Sequence, residues 1–414
     1  MTFFMVTPPH RPLGEREFVA MMALLQALQA LAIDAMLPAL GVMAHDLGSF
    51  DANHRQLVVG IFLIGIGVCA LIPGALADRY GRRPVLMTCL ALYLITSLGC
   101  VLVQDFETLV VLRGLQGLGC AGLGVLPSAI IRDRMEGDRM ARLQSLVSVV
   151  FMVVPMLAPS IGQAVLLIAG WRWIFGLFAV MSLIMACWVW FRLPETLDDE
   201  NRQPIRLRSI AASMAAVLTT RSAIGYVLGS TLMMSAMWGF INSCQQLIAE
   251  HFGAGKAFPL VFGGLAMTMI FANLGNARIV TRFGARRVSH AALLAYIVVS
   301  SVQVITASSG HEVLLQFVAL MAANMTLSGF IGANFGAIAL QPFGRIAGAA
   351  ASVQSFVRLG TASVVAAFIG QAYDGTARPL AMALLAAGTL TLLLVLFSEN
   401  GRLFRRLNYP KPVS

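Results

Sequence analysis

Charged side chains are scarce in this sequence: Asp, Glu, Lys and Arg together make up 12% of its 414 residues. A soluble globular domain carries about a quarter. So little charge cannot cover a water-facing surface, which excludes an ordinary soluble enzyme and points to lipid as the solvent. Cysteine is sparse as well. The six residues (Cys69, Cys89, Cys100, Cys120, Cys187 and Cys244) each fall inside an apolar run, without a C-x-x-C pair or a Cys/His cluster. That argues against a disulfide framework or a metal centre, and the thiols read as small hydrophobes packed between helices. No Walker-type phosphate loop is present, so ATP is not the expected energy source. The six histidines (His10, His45, His54, His251, His290 and His311) lie in loops or near the ends of apolar runs. No Ser/His dyad reaches membrane depth, so no enzymatic function and no cofactor are expected.

What is abundant is apolar sequence, 58% of the chain. Crossing the hydrocarbon as helix takes about 20 such residues, and helices are the default because lipid offers free backbone groups no partner. Twelve runs qualify, near 18–44, 57–77, 84–103, 107–131, 143–168, 173–192, 223–249, 258–280, 288–308, 312–340, 346–372 and 379–399. The first is too long for a signal-peptide core and reads as a retained helix.

The net charge of +10 follows from topology. With the N-terminus inside, the cytoplasmic side collects Arg11, Arg16, the 79–83, 132–142 and 278–287 clusters, Arg192, Arg202, Arg206, Arg208, Arg221, Arg345, Arg402, Arg405, Arg406 and Lys411. The opposite side holds only Arg55, Arg172, Lys256 and Arg378. This asymmetry places both termini in the cytoplasm and accounts for the basic balance without nucleic acid. A polar stretch, 194–222, is read as a cytoplasmic linker between bundles at 1–193 and 223–414, with room for a short surface helix. The halves echo each other. G-A-L-A-D-R-Y-G-R-R-P (74–84) follows the second run, and A-R-I-V-T-R-F-G-A-R-R-V (277–288) follows the eighth. Parallel repeats of this kind build transporters around a central site.

The first of these loops resembles the loop motif of the major facilitator superfamily, with Gly74, Asp78, Arg79, Gly81, Arg82 and Arg83 at the motif's positions. L-R-G-L-Q-G-L-G (112–119) is similar to that superfamily's fourth-helix Arg motif, and P-M-L-A-P-S-I-G (155–162) to the antiporter motif of its drug exporters. Gln163 stands where many antiporter motifs carry a second glycine. I-D-A-M-L-P-A-L (33–40) and L-P-E-T-L (193–197) resemble the Bcr/CflA drug-resistance branch. The resemblance spans essentially the whole chain, with its strongest motifs in the first half. It implies an all-helical membrane protein of about twelve helices in two pseudo-symmetric six-helix bundles.

Asp34 is the one acid deep in an apolar run. A bare carboxylate at the bilayer centre costs about 2.5–3.5 kcal/mol on insertion scales, so such residues face a cavity or a partner and are functional by default. Burial favours the neutral acid and a nearby cation favours the ion; a group balanced between them can exchange protons near neutral pH. Arg113 is the natural counter-charge, and the resemblance implies a proton-relay role for it. A direct Asp34–Arg113 pair and a bridge through Gln116 or water both remain open, as does an arginine snorkelling to the interface. Arg358, in the eleventh run, either snorkels or lines the cavity. The resemblance implies that Asp78 latches the two halves; the bland alternative is that its arginines only set topology. Pro155, Pro159 and Gly162 predict a bent, closely packed fifth helix. Trp238, Asn242, Gln245, Asn273 and Asn324, with Asp34, Gln116 and Arg358, are candidate cavity residues. Gln246, Asn334 and Phe240 lie nearby, and 22 methionines suit a pocket that adapts to several ligands. The alternative for each polar residue is a structural bond between helices.

The expected function is proton-coupled export of small amphipathic drugs by alternating access, in a bacterial inner membrane, by a monomer whose partners are substrate, protons and lipid. Export of an endogenous metabolite or amino-acid derivative, and proton-coupled import, are the alternatives on the same fold.

Overall fold

In the computed structural model the described residues are 13–404, apart from 50, 52, 136, 199, 201 and 203–206. Arg11, Asp199, Arg206, Arg405, Arg406 and Lys411, used above for linker and orientation, lie outside them. All regular structure among the described residues is helical. The helices are α1 (Glu15–Asp34), α2 (Leu40–Asp46), α3 (Leu57–Cys69), α4 (Ile72–Tyr80), α5 (Arg82–Leu102), α6 (Phe106–Arg134), α7 (Gly137–Ala169), α8 (Arg172–Arg192), α9 (Leu207–Thr219), α10 (Arg221–Gln245), α11 (Phe258–Phe283), α12 (Ala285–Ser308), α13 (Leu314–Leu340), α14 (Ala347–Gln371) and α15 (Arg378–Ser398). Eleven spans are long and apolar enough to cross a membrane, or twelve with the bent pair α3–α4 taken as one.

Their ends fall within a few residues of the expected runs, but two runs are not single helices. The first breaks after Asp34 into a 3-10 turn, Leu37–Ala39, before α2 resumes. Pro38 has no N–H to return to the Asp34 carbonyl, and its ring crowds that position. The second bends by 44° between α3 and α4, where Pro73 enters the first turn of α4 and leaves the Cys69 carbonyl without its helical donor. By contrast, Pro155 and Pro159 sit inside a continuous α7. The α10 helix ends in a π-helical turn, Gln246–His251.

The interior is mostly apolar, as in a soluble protein, but much of the surface is apolar too. Large apolar side chains such as Ile168 (86% exposed) and Leu260 (80%) face outward, while Arg113, Gln116, Ser97, Ser300 and Asn324 are buried. Lipid removes the penalty of the first set, and hydrogen bonds between helices satisfy much of the second.

The chain forms two compact units, one of Met1–Arg206 with Ala254–Gly263, the other of Leu207–Gly253 with Gly264–Ser414. In the first unit α6 packs on α3 and α5, α5 on α8, and α1 on α6 and α7. In the second, α10 packs on α13, α14 and α15, α12 on α13 and α15, and α9 on α14. The repeat read from the sequence recurs in the backbone: Gly81 (φ 104°, ψ 153°) and Gly284 (φ 86°, ψ 147°) make the same turn into α5 and α12. Both lie where a side chain is strained.

Candidate transport site

In the first unit, glycine places the arginine. A Cβ on Gly117 would strike the Phe62 carbonyl, one on Gly65 the Gly114 carbonyl, and one on Gly119 would come within 3.0 Å of the Cys89 carbonyl. With hydrogens there instead, α6 approaches α3 and α5 at backbone distance and carries Arg113 into the interior, where it is 0% exposed. It does not snorkel. Its guanidinium donates from Nε to the Val58 carbonyl (3.1 Å), from Nη2 to the Ala32 carbonyl (3.0 Å) and from Nη1 to Gln116 Oε1. The Phe62 ring lies 4.0 Å from Cζ. Gln116 Nε2 then donates to Ser97 Oγ (2.7 Å), which donates to the Tyr93 carbonyl (2.6 Å). Ala32 lies in the last turn of α1, whose carbonyls lack intrahelical donors and carry the negative end of the helix dipole. Arg113 therefore ties the break in α1 to α3 and α5.

Asp34 ends α1 two residues beyond Ala32. Its side chain is 4% exposed, Oδ1 has no hydrogen-bond partner, and no ion pair reaches it among the described residues. Of the arrangements left open by the sequence, the structure shows Arg113 bonded to Gln116 and to backbone rather than directly to Asp34. The antiporter motif meets the same break from the other side. Gly162 faces the Ala35 carbonyl so closely that a Cβ would overlap it, and α7 packs along both α1 and the 3-10 turn. Neither this seat nor the break was read from the sequence; Pro38, four residues after Asp34, was the available signal.

The loop motif is tied within the same unit. Asp78 pairs with Arg82, and Arg82 Nε donates to Asp133 Oδ2 at 2.7 Å. Glu195, from L-P-E-T-L, accepts the backbone N–H groups of Arg82 (2.8 Å) and Arg83 (3.1 Å), capping the free N-terminus of α5. A carboxylate there gains from both the free donors and the dipole. Gly81 leaves room for it, since a Cβ would meet Glu195 Oε2. Arg83 donates to the Trp190 carbonyl and lies over its ring, and Arg79 lies over Tyr80. Gly74 makes only ordinary contact, with Val125. Asp78, Arg82, Arg132, Asp133, Thr196, Leu197 and Asp198 line a polar recess of about 300 Å³. Nothing in the sequence marks Asp133 as a partner of Arg82; for Glu195 the available signal is an acid just after the sixth span.

The candidates of the second unit do not form one cluster. Asn324 is a bridge, accepting from Ser300 Oγ (3.0 Å) and donating to Gln303 Oε1 (2.7 Å). Asn273 donates to Met269 of its own helix, and Asn334 to Asn276 and to the Phe330 carbonyl. On α10, both side-chain atoms of Asn242 and the Oε1 of Gln245 are buried without partners, and Trp238 lies one turn before Asn242. Arg358 has a buried Nε with no partner, and no ion pair is formed by it among the described residues.

A fold of eleven or twelve spans in two units, the second repeating the turn of the first, with a buried acid and arginine in the first, defines a secondary transporter rather than an enzyme. A family profile described as Major Facilitator Superfamily matches residues 22–362, and the chain belongs to that superfamily. It is 26% identical over 392 residues to the bicyclomycin resistance protein homolog of Haemophilus influenzae, covering 94% of this chain and 98% of that one. It is 28% identical over 378 residues to the multidrug resistance protein MdtL of Escherichia coli, covering 89% and 92%. These relatives support the Bcr/CflA drug-resistance branch. Among solved structures, the xylose transporter XylE of Escherichia coli superposes with a TM-score of 0.68 at 14% identity, covering 92% of this chain and 96% of that one; the likeness is one of fold.

Proposed function

We propose that this chain is a proton-coupled exporter of small amphipathic drugs, working by alternating access in a bacterial inner membrane as a monomer with both termini cytoplasmic. The observation that carries the reading is Asp34: buried, without a partner on Oδ1, at a helix break whose carbonyl is held by Arg113. A carboxyl group so placed is sheltered from water, and an opening of the path to water would let it exchange its proton. The guanidinium spends its hydrogen bonds on Val58, Ala32 and Gln116, which leaves the acid free to gain and lose its proton. Protonation from outside and release inside then drive the cycle, with about 2.3 kcal/mol per charge per 100 mV of membrane potential available. The names of the curated relatives, bicyclomycin and multidrug resistance, favour drugs as cargo. The loop motif, with Asp78 held by Arg82, is assigned to the conformational change and the antiporter motif on α7 to sealing the break beside Asp34. In detergent, drug addition should release protons from the wild type and not from Asp34→Asn. Equal release from both sinks the proposal.

A further inference from the structure

The turn from α11 into α12 carries the least compensated charge of the second unit. Its counterpart in the first unit is neutralised by the protein itself. There Arg82 bonds to Asp78 and Asp133, and Glu195 caps the start of α5. The offset that carries Gly81 onto Gly284 puts Thr281 in place of Asp78 and Arg278 in place of Ala75, while Arg282 and Arg286 repeat Arg79 and Arg83. Arg286 bonds to Glu399, and Arg287 donates to the Phe404 carbonyl. Arg278 and Arg282 are both exposed, and neither forms an ion pair among the described residues.

Their place on α11 says what they fit. Met267, Phe271, Leu274, Arg278 and Arg282 follow one another at helical spacing and share one face. That face turns away from α13, which meets α11 on the other side, with Gly329 against Ala272 and Asn334 bonded to Asn276. Phe271 is 65% exposed and Leu274 57%, and Leu260 prolongs the same face toward the opposite end of the helix. An apolar face this open suits lipid rather than water. From Met267 to Arg278 the helix rises by about 17 Å, at about 1.5 Å per residue. That is close to one leaflet's share of a hydrocarbon core about 30 Å thick. The apolar stripe thus runs the length of an acyl chain and ends in two guanidiniums one turn apart, at the level of a phospholipid's phosphate.

We infer that the arginine end of α11 is a binding site for a phospholipid of net negative charge, with one acyl chain along Leu274, Phe271 and Met267 and the phosphate diester between Arg278 and Arg282. A guanidinium presents paired N–H donors to phosphate oxygens. Two of them favour an anionic lipid over a zwitterionic one, whose own ammonium already offsets its phosphate. The lipid supplies at this turn the anion that Asp78 supplies in the first unit, and it does so without a protein bond that fixes the turn. The inference rests on the chain being a membrane transporter and is independent of its cargo and of proton coupling.

The test titrates purified full-length protein in neutral detergent micelles with dioleoylphosphatidylglycerol or dioleoylphosphatidylcholine and counts retained lipid by native mass spectrometry. Wild type should hold one phosphatidylglycerol about twenty-fivefold more tightly than phosphatidylcholine, about fivefold for each arginine. In the double variant Arg278→Gln, Arg282→Gln the two lipids should bind equally. Thr281→Asp keeps both arginines but sets a carboxylate within one turn of Arg278, and should cut the preference about fivefold. Arg139→Gln removes an exposed arginine of α7 instead and should leave the preference intact. The melting temperature without lipid reports that each variant is folded. Inorganic phosphate and glycerol 3-phosphate, which lack the acyl chain, should not displace the lipid. Equal retention of the two lipids by wild type, a full preference in a folded double variant or in Thr281→Asp, an equal loss in Arg139→Gln, or displacement by inorganic phosphate overturns the inference. Those outcomes are separate from drug-induced proton release, which tests the export reading alone.

Discussion

The two units solve the same packing problem with different chemistry. Tyr93 and Ser97 on α5 have counterparts in Tyr296 and Ser300 on α12, each 203 residues on, the same offset as Gly81 to Gly284. Both tyrosines are buried, and both serines meet a buried carboxamide from the next helix, Gln116 on α6 or Asn324 on α13. Counted from the start of its helix, Arg113 corresponds to Met321. The first spans differ in a parallel way: α1 presents a buried acid before a break, and α10 presents a buried amide before a π-turn. The repeat therefore keeps its tyrosine, serine and carboxamide scaffold in both units, whereas the buried acid at the end of the first span belongs to the first.

Making the first unit resemble the second is the severest test of this contrast. Arg113→Met leaves the Ala32 carbonyl and Gln116 Oε1 without the donor Arg113 supplies, at about 1–3 kcal/mol each. Drug efflux from vesicles should fall to background, whereas Met321→Leu, a volume-conserving swap, should leave it within about twofold. Next comes Gly162→Ala, which pushes a methyl group onto the Ala35 carbonyl. It should lower stability by about 1–3 kcal/mol, as overpacking does, and slow transport. Gly264→Ala, with open space beside it, should do neither; melting temperature and efflux rate report both.

The matched carboxamides sharpen the contrast at smaller scale. Gln116→Leu should impair transport because it removes an anchor of Arg113. Asn324→Leu should cost stability, about 1 kcal/mol for the bonds lost, with transport retained. The smallest effect concerns pH at the end of α15. Glu399 takes hydrogen bonds from Arg286 Nε (2.7 Å) and Tyr226 Oη (2.6 Å). Burial works to raise its carboxyl, but the bonds from Arg286 and Tyr226 outweigh it and hold the group below the usual carboxylate range. A group depressed in the folded state adds stability above its unfolded value and loses it as pH falls through the folded value. Melting temperature should therefore drop on acidification below about pH 4, and Glu399→Gln should show a smaller drop over that range.

The spans were legible in the sequence because lipid demands a fixed length of apolar helix, and the arginine asymmetry suggested an orientation. Helix breaks were not. Proline removes one donor wherever it falls, yet Pro155 and Pro159 remain inside α7 while Pro38 and Pro73 mark disruptions; the outcome depends on neighbours that a single sequence does not display. Asp34 and Arg113 stood out as charges in apolar runs. Their actual relation, an arginine spent on backbone and a carboxamide, depends on which carbonyls the break leaves free. Asn242 looked no different from Asn324 until partners were found for one and not the other.

In the proposed function Asp34 couples transport to protons without being needed to carry the substrate. Proteoliposomes containing Asp34→Asn, loaded with a compound the wild type exports, test it directly by comparing counterflow exchange with accumulation driven by a pH gradient. Counterflow should persist while gradient-driven accumulation disappears. Accumulation that still follows the pH gradient in this variant would rule out Asp34 as the coupling site.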